Sequence, residues 1–274
     1  MKRIIIFLSI VCVCVSFQQK GNDNRTRFFP EEELKVTDMP NKNNLWVFIL
    51  AGQSNMAGRG LVEPRDTIPS KRILSINEKG EIIIAKEPLH FYEPRLTGLD
   101  CGLSFGKKLI KHIPYNVSIM IIPAAVGGSS ISQWLGDSIH RNVPLLTSFQ
   151  EKVGIGKAVG QIKGILWHQG ESDAKEDLIP LYKERMAKLF EKFREITGEP
   201  ELPVLVGTLP SFPKNYYHKM KINEQIKLYA LSDNNTFLVD TSALDHKGDK
   251  VHFNSKSLRI MGKRFAEKYI KEEL

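Results

Sequence analysis

The sequence predicts an α/β protein of three layers, α/β/α, built on a central, mostly parallel sheet of five strands. Apolar runs suited to strands buried on both faces recur at 46–50, 117–122, 162–167, 204–209 and 236–239. Amphipathic helical patterns separate most of them. Strand and helix in alternation give parallel strands with helices packed on both faces. Polar clusters directly follow the first and third runs, at 52–56 and 167–173. Both therefore lie on one edge of the sheet, the edge at which open α/β folds bind ligands.

In chain order, Met1, Lys2 and Arg3 precede an apolar run at 4–15, too short to span a bilayer and of the size found in a signal peptide. Cys14, Val15 and Ser16 offer small residues for cleavage near Ser16, so 1–16 is read as a signal peptide and the mature chain as exported, either secreted or periplasmic. The competing readings are an uncleaved anchor and a lipid-modified Cys12 or Cys14, though neither cysteine sits in a lipobox. Residues 17–44 form a polar leader with little core-forming content, and 45–274 the folded domain.

Four helical patterns are visible in that domain. Leu103, Phe105, Leu109, Ile110 and Ile113 mark the first. Leu181, Tyr182, Met186, Leu189, Phe190, Phe193 and Ile196 mark the second, with Pro180 in its first turn and Gly198 as a stop. Met220, Ile222, Ile226, Tyr229 and Leu231 mark the third. The last begins near Asn254 or Ser255, either of which can cap it, and buries Leu258, Met261, Phe265 and Tyr269. Between 57 and 100 the alternation fails. Arg59, Glu63, Arg65, Asp66, Pro69 and the β-like Ile82, Ile83 and Ile84 predict an extended insertion with a hairpin, placed to form one wall of the site.

Composition limits the function. Apolar residues make up 42% and charged residues 26% of the chain, as in ordinary globular proteins. The formal charge of +8 falls to +6 once Lys2 and Arg3 leave, with 37 basic residues facing 31 acidic ones. That excess suits anionic polymers or surfaces and does not argue for nucleic acid. Lys107, Lys108, Lys111, Arg185, Lys188 and Lys192 read as solvated helix faces. Of three cysteines only Cys101 lies outside the signal segment, and it reads as a small packing residue. The stretch 154–160 is not a dinucleotide fingerprint, and the seven histidines show no close ligand spacing. No cofactor or metal is implied.

The chemistry-bearing residues are ordered Ser, Asp, His. Ser54 follows a strand in Gly52-Gln53-Ser54-Asn55-Met56, where an α/β hydrolase places its nucleophile. In Asp249-Lys250-Val251-His252 an aspartate three residues ahead can turn back to the imidazole Nδ1 and leave Nε2 free as a base. Asp245 and His246 form a nearby pair without that spacing. Glu171, in Trp167-His168-Gln169-Gly170-Glu171-Ser172-Asp173, is a second carboxylate able to reach a histidine, as the acid itself or as a support. His168 reads as structural, tying loop to loop.

These three segments, with Gly102-Leu103-Ser104-Phe105-Gly106 and Pro123-Ala124-Ala125-Val126-Gly127-Gly128-Ser129-Ser130-Ile131-Ser132-Gln133-Trp134, resemble the SGNH-hydrolase carbohydrate esterases of the acetylxylan esterase and sialate O-acetylesterase-like family. The likeness runs from about Leu45 to the C-terminus, and five blocks in order are more specific than any one alone. It implies the SGNH, flavodoxin-like form of the three-layer fold and a serine esterase removing O-acetyl groups from carbohydrate, with acetylated xylan or a related plant polysaccharide first and O-acetylated sialic acid second. It implies catalysis by Ser54, His252 and Asp249. The oxyanion would be held by the backbone N–H of Ser54, an N–H of Gly127 or Gly128, and the side-chain amide of Gln169, where the wider pattern has asparagine. Gln53, Asn55 and Trp134 would meet substrate, Trp134 as a platform for a sugar ring or, alternatively, as a core residue. Two further readings are a non-catalytic carbohydrate-binding relative and a lipid esterase or thioesterase.

Overall fold

The computed structural model describes residues 24–274, so the expected signal segment 1–16 and the start of the leader lie outside the described residues. The strands are β1 (Leu45–Gly52), β2 (Ile73–Ile76), β3 (Ile82–Ile84), β4 (Ser118–Pro123), β5 (Ile139–His140), β6 (Val143–Pro144), β7 (Gln161–His168), β8 (Val204–Gly207) and β9 (Thr236–Val239). The helices are α1 (Ser54–Ala57), α2 (Gly102–Leu109), α3 (Ile131–Leu135), α4 (Leu145–Val159), α5 (Ile179–Thr197), α6 (Tyr216–Ala230) and α7 (Ser255–Glu273).

The main sheet has seven strands rather than five, in the order β3-β2-β4-β1-β7-β8-β9. All five expected strands are present and mutually parallel. The other two come from the insertion. β2 pairs parallel with β4 and turns back antiparallel into β3. β3 is the β-like run expected at 82–84, now part of the main sheet, whereas β2 escapes the sequence because a run of four residues is too short to show a period and the buried polar Ser75 interrupts it. Its hydroxyl donates to the Ile121 carbonyl at 2.8 Å. The leader is also less detached than its composition implies: Lys35 bridges Ile83, and the Ile84 N–H donates to the Leu34 carbonyl, which covers the β3 edge.

β4 is buried along its whole length and β1 at all but one position, so each must be apolar on both faces. Two cores result. One face of the sheet packs on α3, α4, α5 and α6, the other on α2 and α7. In α5, Pro180 sits in the first turn and Gly198 takes the left-handed φ of 72° at the C-cap. In α7 the Asn254 side chain accepts from the Ser257 N–H at 2.8 Å. α4 was not expected, because Gly154 and Gly156 break its pattern. A Cβ at Gly156 would come within 2.9 Å of both Val47 and Ile162, so glycine lets this helix lie close on the sheet. Cys101 is buried and free, as its packing role requires. No helix among the described residues is long and apolar enough to cross a membrane.

The chain leaves β1 toward β4 on one side and returns to β7 on the other. This switch in strand order opens a crevice at the C-terminal ends of β4, β1 and β7.

Candidate active site

The polar blocks converge at this crevice because their strands are neighbours. The Gln53 N–H donates to the His168 carbonyl at 3.0 Å, and the Val126 N–H to the Gly52 carbonyl at 3.1 Å. Gly52 has φ 133°, and a Cβ there would overlap the His168 carbonyl, so the chain can turn out of β1 only with glycine at this point. The turn delivers Ser54 to the first position of α1.

Ser54 Oγ lies 3.1 Å from His252 Nε2, and His252 Nδ1 lies 2.8 Å from Asp249 Oδ2. The other oxygen, Asp249 Oδ1, accepts the backbone N–H groups of Val251 at 2.9 Å and His252 at 2.8 Å. Lys250, at φ 60°, makes the tight turn that folds the aspartate back. Burial by itself would raise the Asp249 carboxyl, but the N–H donors and ring of His252, with the Val251 N–H, outweigh it and hold it down to about 2. A permanently ionised carboxylate facing Nδ1 keeps the proton there and turns the Nε2 lone pair toward the Ser54 hydroxyl. Asp245 and His246 take no part. His246 Nδ1 accepts from the Gly248 N–H and its ring packs on Phe212.

Glu171 is a neighbour of this chain of hydrogen bonds rather than a link in it. Its Oε1 accepts from Asn55 Nδ2 at 2.6 Å and lies 4.0 Å from His168 Nδ1, while Oε2 is buried without a hydrogen-bond partner among the described residues. Asn55, expected to meet substrate, is instead a staple: Nδ2 also donates to the Val251 carbonyl, and Oδ1 accepts the Phe253 N–H at 3.1 Å. With 1% of its surface exposed, it ties the serine turn to the histidine loop and to Glu171. His168 is fully buried and its Nε2 meets the Thr208 carbonyl at 3.1 Å. Burial lowers its pKa, and a neutral ring joins β7 to the loop after β8.

The amides are distributed differently from the expectation. Gln169 Nε2 is saturated by Asp173 Oδ2 at 2.6 Å, the Ser129 carbonyl at 3.1 Å and Gln53 Oε1 at 3.2 Å, and none of the residue is exposed. It cannot turn to a substrate oxyanion without abandoning buried acceptors. Gln53 Oε1 also receives the N–H groups of Gly170 at 3.4 Å and Ser172 at 3.3 Å, which fixes the amide with Nε2 free of any acceptor among the described residues. Likewise the Gly127 N–H is committed to Glu93 Oε2 at 2.7 Å, whereas the N–H groups of Gly128 and Ser54 carry no acceptor among the described residues. The N–H groups of Ser54, Asn55 and Gly128 and the Gln53 side-chain amide are thus donors of the two loops that carry no acceptor among the described residues.

Glu93 went unrecognised in the sequence, as did its partner Arg141. Arg59 Nη2 donates to Glu93 Oε2 at 2.6 Å, and Arg141 Nη1 pairs with Oε1. Burial would raise the Glu93 carboxyl, but the two guanidiniums and the Gly127 N–H bring it below its ordinary range. This ionised anchor sets the glycine loop from behind. A charged residue inside an irregular insertion gives no periodic sign of such a role.

Trp134 is a core residue. It is fully buried, its Nε1 donates to Ser129 Oγ at 2.9 Å, and its ring meets Trp167 and Phe193 edge-on at 5.5 and 6.0 Å. Trp134→Ala is therefore expected to cost about 3–5 kcal/mol of stability. KM for an acetylated sugar should be unchanged in the fraction that remains folded. Urea unfolding with parallel kinetics checks this, and a raised KM at unchanged stability would restore the platform reading.

Residues 44–271 match the family model described as carbohydrate esterase, sialic acid-specific acetylesterase. The chain belongs to this carbohydrate esterase family. A probable carbohydrate esterase of Arabidopsis thaliana is 27% identical to the esterase over 243 residues, covering 82% of this chain and 90% of the relative. An X-ray structure of an Arabidopsis thaliana protein superimposes with a TM-score of 0.73 at 27% identity, over 82% of this chain and 98% of that one. A carbohydrate acetylesterase from Xanthomonas citri shares the fold with a TM-score of 0.63 at 18% identity, over 82% of this chain and 55% of that one. The esterase is thus a carboxylic ester hydrolase of SGNH-type fold, and its crevice is the place to look for that chemistry.

Proposed function

We propose that the esterase removes O-acetyl groups from an acetylated plant-type polysaccharide, acetylated xylan first, through an acetyl-enzyme on Ser54. The hydrogen-bonded run from Ser54 Oγ through His252 to Asp249, at the open edge of the sheet, supports the serine-esterase part of this reading. His252 Nε2 takes the Ser54 proton as Oγ bonds to the acetyl carbon, then returns that proton to the departing sugar oxygen. Water enters, gives a proton to the same nitrogen, attacks the acetyl carbon and releases acetate with regeneration of Ser54. A non-catalytic sugar binder would have no use for this set.

The oxyanion formed in each half is assigned to the N–H groups of Ser54 and Gly128 and to Gln53 Nε2, in place of Gln169 and Gly127. Donors fixed beforehand stabilise developing charge without reorganisation. Gln53→Ala is expected to lower kcat by about 10²–10³-fold with little change in KM. Steady-state kinetics on an aryl acetate checks it, and an unchanged kcat would remove Gln53 from the assignment.

The family description favours a second substrate, O-acetylated sialic acid. Acetate release compared on acetylated xylan and O-acetylated sialic acid distinguishes the two, and faster turnover of the sialic acid would replace the first reading. Preference for long acyl esters over acetyl would replace both. Export, proposed from residues 1–16, is checked by the N-terminal sequence of protein recovered outside the cytoplasm.

A further inference from the structure

On the layer formed by α2 and α7, and lined by none of Ser54, Asp249 and His252, a cavity of about 200 Å³ opens against residues 65–66. Six cations line it: Arg65, Lys107, Lys108, Lys111, Arg259 and Lys263. Three are matched. Arg259 forks onto Asp66 at 2.8 and 2.6 Å, Arg65 pairs with Glu63, and Lys108 pairs with Glu267 at 3.1 Å. Lys107, Lys111 and Lys263 have no carboxylate partner among the described residues. Among the described residues Lys107 Nζ donates only to the Arg65 carbonyl, at 3.1 Å, and burial lowers its pKa against the opposing pull of the more distant Asp66 and Glu87. Glu87 makes no ion pair with it among the described residues. Its oxygens accept the N–H groups of Asp100 and Leu103, and burial together with Asp100 pushes its carboxyl well above the ordinary range.

We infer that this cavity is an auxiliary binding site for a carboxylate-bearing polysaccharide, a uronate polymer whose acid groups satisfy Lys107, Lys111 and Lys263. Leu99 and Leu103, both buried, form the apolar floor of the cavity, and Ser104 lies beside them. The surface runs on from the catalytic crevice. Asn254, two residues past His252, caps α7, Ser255 Oγ holds the Leu61 carbonyl, and Arg259 follows Ser255 by about 6 Å along the helix axis. A polymer presenting an acetyl ester to Ser54 can therefore reach these lysines with a neighbouring stretch of the same chain. The choice of a polysaccharide over other polyanions rests on the esterase reading; the anion site itself does not.

The test uses the full chain and the triple variant Lys107→Gln, Lys111→Gln, Lys263→Gln, with Lys188→Gln, Lys192→Gln, Lys227→Gln on α5 and α6 as a charge-matched control. Affinity is measured for polygalacturonate, neutral xylan and duplex DNA. The unaltered protein should prefer polygalacturonate, and the α2–α7 variant should lose at least about tenfold of that affinity. The control should lose much less, and kcat/KM on an aryl acetate should stay the same in both. Equal losses in variant and control, no preference over neutral xylan, or DNA bound as tightly as polygalacturonate would each overturn the site. An esterase reading that fails shows itself separately, as an unaltered protein inactive on aryl acetate.

Discussion

Replacement of Ser54 by alanine is expected to lower kcat for acetate release by about 10⁴–10⁶-fold, with KM nearly unchanged. The hydroxyl is the only group within hydrogen-bonding distance of His252 Nε2 among the described residues, so its loss leaves the base with nothing to activate except water. Removing an atom that forms the new bond deletes the covalent route outright, whereas the donors proposed for the oxyanion stay in place. Folding should be little affected, because the Ser54 side chain is small and its one side-chain hydrogen bond among the described residues is to His252. The check is steady-state kinetics beside a thermal melt. A variant with native stability and more than a tenth of the original kcat would contradict the assignment.

The second large effect separates two carboxylates. Asp249→Asn is expected to cost about 10⁴-fold in kcat, since a neutral amide no longer holds the proton on Nδ1 and can stabilise the wrong tautomer. Glu171→Gln should cost about tenfold or less. Its contact is with Asn55, and a glutamine oxygen can still accept that bond, so the histidine loop keeps its anchor. The reverse ranking would make Glu171 the acid. Acid stability offers an independent reading of Asp249. Its folded value, about 2, lies below the ordinary 3.8, so its contribution is complete above 3.8 and disappears as pH falls through about 2. Urea unfolding between pH 6 and 2 should show this acid-side loss in the unaltered protein and less of it in Asp249→Asn.

The sequence reads furthest where the physics is periodic. Strands such as Ser118–Pro123 are apolar without interruption because both faces are covered, and α5 carries its stripe, its proline and its stop. Ser54 and His252, 198 residues apart, meet because Ser54 follows the end of β1 and His252 lies in the loop that leads from β9 into α7. Legibility ends where contact decides. α4 is hidden by Gly154 and Gly156, small for the sake of the sheet beneath. Trp134 has the same letter whether it stacks on sugar or fills a core, and only its place between Trp167 and Phe193 decides. The exchange of duties between Gln169 and Gln53 is of the same kind. Two amides share a hydrogen bond, and the one that also meets Asp173 and Ser129 is the one consumed. Glu93 and Arg141 act through a charge network that no spacing announces.

The central claim is that Ser54 is the activated nucleophile of a serine esterase. It is tested most directly by reacting the native protein with a fluorophosphonate and mapping the adduct by mass spectrometry, in step with loss of acetate release. One phosphonyl group on Ser54, at a stoichiometry that tracks inactivation and with labelling abolished in His252→Ala, is the result expected. Complete inactivation with the adduct on another residue, or full labelling of Ser54 with activity intact, would contradict the account.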